Sequence, residues 1–243
     1  MFGIIGNPLL QSFSPDFFRK KFATLGIDDT YLKFEIKSIE ELKIVLKTHP
    51  QLKGLNVTIP YKQKVINLID ELDATAKEIG AVNCIKIEYG KLKGYNTDAI
   101  GFLKTLRPLV EPHHTHALIL GTGGASKAVA HALQQLNINY QFVSRKLYQD
   151  CLTYQQLDAN IIQHHSLIIN TTPLGMMPDI DAAPPIPYHL LTPKHLLYDL
   201  VYNPAESLFL QRGKAQGTAT KNGYDMLVAQ AEAAWDIWNN PKL

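Results

Sequence analysis

Lys62 and Asp98 are the residues of this chain best suited to move a proton during a carbonyl–alcohol interconversion. A lysine kept charged beside a carboxylate can donate a proton to a developing alkoxide and then be reprotonated. Lys62 follows Asn56-Val57-Thr58-Ile59-Pro60-Tyr61, and Asp98 closes Tyr95-Asn96-Thr97-Asp98. Other segment ends carry hydroxyls and amides: Ser12, Ser14, Asn56, Thr58, Asn83, Asn96 and Thr97. Together they suit a small polyhydroxylated acid, which needs many directional hydrogen bonds and an ammonium group. Taken singly, Lys62 also reads as a surface lysine at a helix start, and Asp98 as a helix cap.

A second constellation lies in residues 117–130, ALILGTGGASKAVA. An apolar run meets Gly121-Thr122-Gly123-Gly124 and passes into a helix with Ala125, Ala128, Val129, Ala132, Leu133 and Leu136 at helical spacing. Strand, glycine turn and helix N-terminus form a pyrophosphate site, where Gly121, Gly123, Gly124 and Ala125 let the backbone approach the ligand. The third position of G-x-G-x-x-G/A falls on Ser126, and a P-loop is excluded because Ser126 precedes Lys127 where that motif needs Gly. An NAD site would place an acid about 20 residues past the first glycine. That position falls near Ser144, and no acid occurs between Gly121 and Asp150. Arg145 and Lys146 stand there instead, which suits the 2′-phosphate of NADP.

The elements that must position these groups read as α/β. Residues 2–6 form a strand leading to a loop at 9–14. Ser14-Pro15-Asp16 then opens a helix with Ser14 as N-cap, Phe18, Phe22 and Leu25 inward, and Gly26 at its end. A strand at 31–36 precedes Ser38-x-x-Glu41, a capping box. A strand at 53–60, a helix capped by Asp73 and ended by Gly80, and a hairpin turning at Gly90-Lys91 follow. Residues 101–106 form a connecting helix and 108–116 a polar linker. Beyond it, strands at 117–120, 140–143, 167–170 and 196–201, with a short one at 218–220, alternate with helices and form a doubly wound parallel sheet. The crossover between Lys146 and Ser166 lacks a strong amphipathic helix, so the sheet is expected to be smaller than the ideal. Residues 176–192 read as surface loop, and 224–238 as the last helix.

Bulk properties narrow the class. The 243 residues are 46% hydrophobic and 19% charged with a formal charge of +2, which gives no electrostatic case for nucleic acid or a membrane surface. No apolar run approaches the ~20 residues that span a bilayer. The start, MFGIIGNPLL, lacks a basic region and reads as a strand. Cys84 and Cys151 lack metal-ligand spacing and point to a reducing cytoplasm. His113-His114 and His164-His165 read as solvated, and no metal is expected.

At these residues the chain resembles the shikimate dehydrogenase family nearly end to end. The resemblance rests on Ser12-Phe13-Ser14-Pro15, Asn56 to Lys62, Gly80-Ala81-Val82-Asn83, Asn96-Thr97-Asp98 with Gly101, and Gly121 to Ala125. Residues 170–176, 199–204 and 223–230 complete it. It implies NADPH-dependent reduction of 3-dehydroshikimate to shikimate in aromatic amino-acid biosynthesis, with Lys62 and Asp98 as the catalytic pair. It further implies that Ser12, Ser14, Thr58, Asn83, Asp98, Tyr202 and Gln230 bind the substrate, with Tyr202 near a shared cleft. Ser144-Arg145-Lys146 would hold the 2′-phosphate, and Thr171 and Gly223 would join the glycine turn at the cofactor. The implied architecture is an N-terminal α/β substrate domain (1–100, rejoined by 222–243) and a Rossmann-like NADP domain (101–221), in a monomer or homodimer. Departures are Thr122 for a commoner Ala, Phe18 for a usual His, and Tyr224-Asp225 for a usual Leu-Gly. Rival expectations are a quinate/shikimate dehydrogenase using NAD, a non-catalytic nucleotide-sensing module, and a bare Rossmann binding protein. The first predicts an acid near Ser144, the second loss of Lys62 or Asp98, and the third leaves the polar segment ends unexplained.

Overall fold

The computed structural model describes residues 1–9, 12–147 and 150–240; Leu10 and Gln11, in the loop expected at 9–14, lie outside it. The chain forms two compact units, Met1–Ile100 with the chain from Val228 onward, and Gly101–Leu227.

The first unit opens with β1 (Phe2–Gly6), α1 (Phe13–Leu25), β2 (Tyr31–Glu35), α2 (Leu42–Thr48) and β3 (Gly54–Val57). It continues with β4 (Glu71–Leu72), α3 (Ala74–Ile79), β5 (Cys84–Glu88), β6 (Lys91–Tyr95) and the start of α4 (Thr97–Leu106). Its six strands run β2-β1-β3-β5-β6-β4. β1 pairs parallel with β2 and β3, whereas β5 runs antiparallel to β3 and β6. β1, read from sequence as a short apolar run, is buried throughout; β3 is buried too, although its sequence alternates, because Asn56 is engaged inside the unit rather than facing solvent. The β5–β6 turn sits one residue earlier than expected: Tyr89 (φ 51°) and Gly90 (φ 76°) are both left-handed, as a two-residue primed turn requires.

Two helix starts also differ from expectation. α1 begins at Phe13, so Ser12 occupies the N-cap position and Ser14 lies inside the first turn, 7% exposed. Pro15 is tolerated there because the first-turn N–H groups have no intrahelical acceptor to lose. Ser38 makes no side-chain cap; the Glu41 carboxylate takes the N–H of Lys37 at 3.3 Å instead. Asp73 does cap α3, accepting from Ala76 N at 2.8 Å, and Gly80 ends that helix at φ 67°.

One core of this unit gathers Ile5, Leu42, Leu55, Val57, Val65, Val82 and Ile85. The other is aromatic, with Phe2, Phe18, Phe22 and Trp238. Phe18 stacks on Tyr31 at 4.8 Å, so the residue that departs from the usual His fills an aromatic core.

The second unit holds β7 (His116–Leu120), α5 (Gly124–Gln135), β8 (Asn139–Ser144), β9 (Leu152–Thr153), α6 (Ala159–His164) and β10 (Leu167–Asn170). β11 (Leu196–Asp199), α7 (Leu208–Lys214), β12 (Ala219–Lys221) and the start of α8 (Tyr224–Asn239) complete it. Six strands run β12-β11-β10-β7-β8-β9, every pair parallel. This is the order of a dinucleotide-binding sheet, with its switch point between β7 and β10. The sheet is therefore not reduced. The thin crossover contains β9, two residues long, and α6, whose N-terminus is capped by Asp158 through Ile161 N at 2.9 Å.

Further expectations are corrected here. The segment 108–116 is not a linker but belongs to the second unit, which begins at Gly101 as expected: Leu109 and Val110 pack on its core. His114 is buried rather than solvated, its Nδ1 accepting the N–H of Glu111 at 2.9 Å. Within 176–192, Ile186 and Leu191 are core residues, so this segment covers one face of the sheet. The chain rejoins the first unit at Val228 and not at 222, because Met226 is buried in the second unit's core. Past that point α8 is anchored by Trp238, whose Nε1 donates to Ile85 O at 2.9 Å, and by the buried Lys86 Nζ, which donates to Asn240 O at 2.7 Å.

Candidate active site

The end of β3, the turn before β5 and the N-terminus of α4 meet in the first unit. Backbone bonds lock this junction: Val57 N donates to Asn83 O at 2.8 Å, Asn83 N to Tyr95 O at 3.1 Å, and Val82 N to Lys62 O at 2.7 Å. Asn96 caps α4, accepting from Ala99 N at 3.1 Å and donating to Ala81 O at 2.9 Å. Asp98 is thereby left in the first helical turn with its carboxylate available, where the helix dipole favours negative charge.

Lys62 Nζ lies 2.6 Å from Asp98 Oδ2, with side chains only 17% and 9% exposed. Neither the surface-lysine nor the cap reading survives, since the lysine is mostly covered and Asn96 does the capping. Asp98 Oδ1 accepts from Asn83 Nδ2 at 2.9 Å, so both carboxylate oxygens are held. Asn83 Nδ2 also reaches Thr97 Oγ1 at 2.9 Å, and Gln230 Oε1, on α8, lies 3.4 Å from each of them. Asn83, Thr97, Asp98 and Gln230 are all buried. An ammonium, a carboxylate, two amides and a hydroxyl thus share one largely desolvated place. There the charge-assisted bond is stronger than it would be in water.

The remaining candidates divide. Ser12 Oγ donates to Leu9 O at 3.3 Å, and Thr58 is half-buried with its N–H on Ile5 O at 3.0 Å. Asn56 is engaged internally: Tyr31 OH donates to its Oδ1 at 2.6 Å, and its Nδ2 donates to Asn83 O at 3.3 Å. Burial pushes the Tyr31 hydroxyl well above its usual range, so it stays protonated and remains a donor.

In the second unit the glycine turn follows β7. Gly121 has φ 111°, and a Cβ there would come within 2.8 Å of Thr171 Oγ1, whose proton goes to Leu120 O at 2.7 Å. Gly123 is the N-cap of α5 and has no neighbour within 4 Å of a Cβ position, so its backbone is open to a ligand. Ser126, fully buried, donates to Gly123 O at 2.6 Å, which explains how serine occupies the third motif position. Ser144 ends β8, its Oγ accepting from Lys146 N at 3.4 Å, and Arg145 and Lys146 are exposed. Open glycine backbone, a helix N-terminus and two cations fit a dinucleotide bearing a ribose phosphate.

Tyr202 and Gly223 also lie in this unit. Burial raises the Tyr202 hydroxyl, and Gly223, whose N–H donates to Val201 O at 3.1 Å, admits no Cβ because Leu200 backbone occupies that space. Asp225 is exposed and paired with Lys221 in the first turn of α8, a favourable end for an acid. Asp199 went unassigned from sequence. It is buried, accepts from the Ser207 hydroxyl, from Val201 N and from Asn170 Nδ2 (each of the latter at 2.9 Å), and burial raises its carboxyl to about 6. Thr97 falls within the polar segment 96–98 singled out from sequence, but no individual role was assigned to its hydroxyl. Among the described residues no cluster of His, Cys, Asp or Glu is arranged to hold a metal, and no helix is long and apolar enough to cross a membrane.

A dinucleotide-type parallel sheet with an open glycine turn, and an α/β unit carrying a covered Lys–Asp pair, define an oxidoreductase acting on a CH–OH group. Residues 4–85 match the family model of the shikimate dehydrogenase substrate binding domain. The NADP⁺ shikimate dehydrogenase of Methanococcus maripaludis strain C6 is 38% identical over 100% of this chain and 92% of that protein. Shikimate dehydrogenase from Aquifex aeolicus has 36% identity and a TM-score of 0.87, covering 100% of this chain and 93% of that one. The Thermus thermophilus enzyme, solved in complex with NADP(H) and shikimate, has 30% identity and a TM-score of 0.87, covering 98% and 92%. The chain belongs to the shikimate dehydrogenase family.

Proposed function

We propose that this protein catalyses the reversible NADPH-dependent reduction of 3-dehydroshikimate to shikimate in aromatic amino-acid biosynthesis. The observation that carries the proposal is the 2.6 Å contact between Lys62 Nζ and Asp98 Oδ2 among covered amides and hydroxyls. When bound, the dinucleotide supplies a hydride to the C3 carbonyl carbon. Lys62 gives a proton to the oxygen as its charge develops, and Asp98 holds the ammonium in place through Oδ2. The net change is one hydride to carbon and one proton to oxygen, making the C3 hydroxyl. Ser12, Ser14, Thr58, Asn83, Tyr202 and Gln230 bind the carboxylate and the remaining hydroxyls. Gly121, Gly123, Gly124, Ala125, Thr171 and Gly223 hold the cofactor body, and Ser144, Arg145 and Lys146 select its 2′-phosphate. The enzyme works on this small molecule in the cytoplasm, as a monomer or homodimer, without nucleic acid or membrane partners.

The test is oxidation of shikimate and of quinate, each with NADP⁺ and with NAD⁺, by the wild type and by Lys62→Ala. Shikimate with NADP⁺ should be turned over best, and Lys62→Ala should lose about 10²–10⁴-fold in kcat. Equal wild-type rates with quinate and NAD⁺ would overturn the specificity, and near-full activity of the variant would overturn the mechanism.

A further inference from the structure

We infer that Thr97 is a positioning residue of this active site, setting the amide orientations of both Asn83 and Gln230 and, through Asn83, the Asp98 carboxylate; the inference rests on the proposed reaction. Thr97 begins α4 and is fully buried. Its backbone N–H can only donate, and it points at the Asn83 amide atom 2.6 Å away. That atom must therefore be the oxygen, and the Asn83 NH₂ is forced to the opposite end. The two NH₂ protons go to Asp98 Oδ1 and Thr97 Oγ1, both at 2.9 Å.

The Thr97 hydroxyl, having accepted there, still has its own proton to place. Two acceptors are in reach, Asn83 Oδ1 at 3.3 Å and Gln230 Oε1 at 3.4 Å. Asn83 Oδ1 also holds the 2.6 Å backbone bond, and Gln230 Oε1 faces two donors, the Thr97 hydroxyl and Asn83 Nδ2 at 3.4 Å each, so the hydroxyl bridges the two amides. The result is a one-way relay of donors anchored on a backbone N–H that cannot be reversed. It turns the Gln230 oxygen inward and fixes which end of that amide meets a substrate. It also holds Asp98 Oδ1 while Oδ2 engages Lys62. Removing the hydroxyl takes away the 2.9 Å acceptor of the Asn83 N–H and one of the two donors facing the Gln230 oxygen, leaving the two amides only their longer 3.4 Å contact. Replacing a well-made buried hydrogen bond by a long one costs about 1–3 kcal/mol, or roughly 5- to 150-fold.

The experiment compares Thr97→Val, Thr97→Ser, Gln230→Ala and the Thr97→Val/Gln230→Ala double variant in shikimate oxidation with saturating NADP⁺. Thr97→Val should raise the KM for shikimate and lower kcat, each by about 5- to 50-fold, and Thr97→Ser should recover to within about threefold of wild type. In the Gln230→Ala background the KM effect of Thr97→Val should shrink below about twofold while its kcat effect persists. Equal loss in the Val and Ser variants, wild-type kinetics in Thr97→Val, or multiplicative KM effects in the double variant would each overturn the relay. A second arm needs no substrate: the Asn83 side-chain NH₂ protons should exchange with solvent at least about tenfold faster in Thr97→Val than in wild type. Unchanged exchange overturns the relay even if another substrate is found, whereas faster exchange without shikimate turnover rejects only the reaction.

Discussion

Asp98 is held at both oxygens, by Lys62 and by Asn83, an arrangement suited to keeping an ammonium aimed. Asp98→Asn keeps the shape and removes the charge that retains Lys62. We expect kcat to fall about 10²–10⁴-fold while the dissociation constant for NADP⁺, measured by fluorescence titration, changes little. A matching loss in NADP⁺ affinity would mean that the substitution disturbs more than the pair. At the other constellation, Arg145 and Lys146 are exposed with no carboxylate in the expected NAD position. The Arg145→Ala/Lys146→Ala variant should raise the KM for NADP⁺ by about 10- to 100-fold, the range of lost charge-assisted bonds, and leave that for NAD⁺ within about threefold. Parallel loss with both cofactors would remove these residues from phosphate selection.

At the level of elements, the C-terminal part of α8 is tied to the first unit by contacts far apart in sequence. Gly54, on β3, lies directly beneath the Trp238 indole, and a Cβ there would overlap the ring. Trp238 also stacks on Phe2 at 4.8 Å, so the ring has little room to yield. Gly54→Ala should cost about 1–3 kcal/mol of stability by overpacking, read as a lower urea midpoint. If the midpoint is unchanged, Trp238 moves freely and does not anchor the helix. Gln230 rides on this same helix, so a displaced anchor should also raise the KM for shikimate.

For the molecule as a whole, pH acts through buried titratable groups of opposite sign. Burial lowers His114, His116 and His165 below the usual 6.5, and neighbouring histidines add to the effect. Their contribution to stability is present above the unfolded value and is lost as pH falls through the lowered folded values. Asp199, raised from 3.8 to about 6, works the other way: its contribution is full below the unfolded value and is lost as pH rises through about 6. The His116 and His165 rings belong to one cluster with His164, with His116 and His164 centroids 3.9 Å apart. A His116→Asn/His165→Asn variant should therefore lose less stability than wild type between about pH 7.5 and about pH 5.5 in urea titrations. An equal drop in both proteins would rule out these rings as the cause.

Much of this was legible in residue order because strands, helix ends and glycine turns leave signals spaced over a few residues. The β7–Gly121–α5 unit, the Asp73 cap and the missing acid near Ser144 are all of that kind. So were Lys62 and Asp98, named together as an acid–base pair from their residue types and their places at a strand end and a helix start. The geometry of that pair was not legible, neither its 2.6 Å distance nor the oxygen engaged, nor was the identity of the cap at α4, because partners 36 positions apart meet only when β3 and α4 are packed together. The antiparallel place of β5, the two-residue β9 and the return of the chain at Val228 rather than 222 likewise depend on pairing and burial across long separations. Sequence by itself determined which chemical groups this protein carries and the local elements that bear them. Only the tertiary structure decided which lone pair each donor meets, because hydrogen-bond direction inside a buried site is set by every neighbour at once.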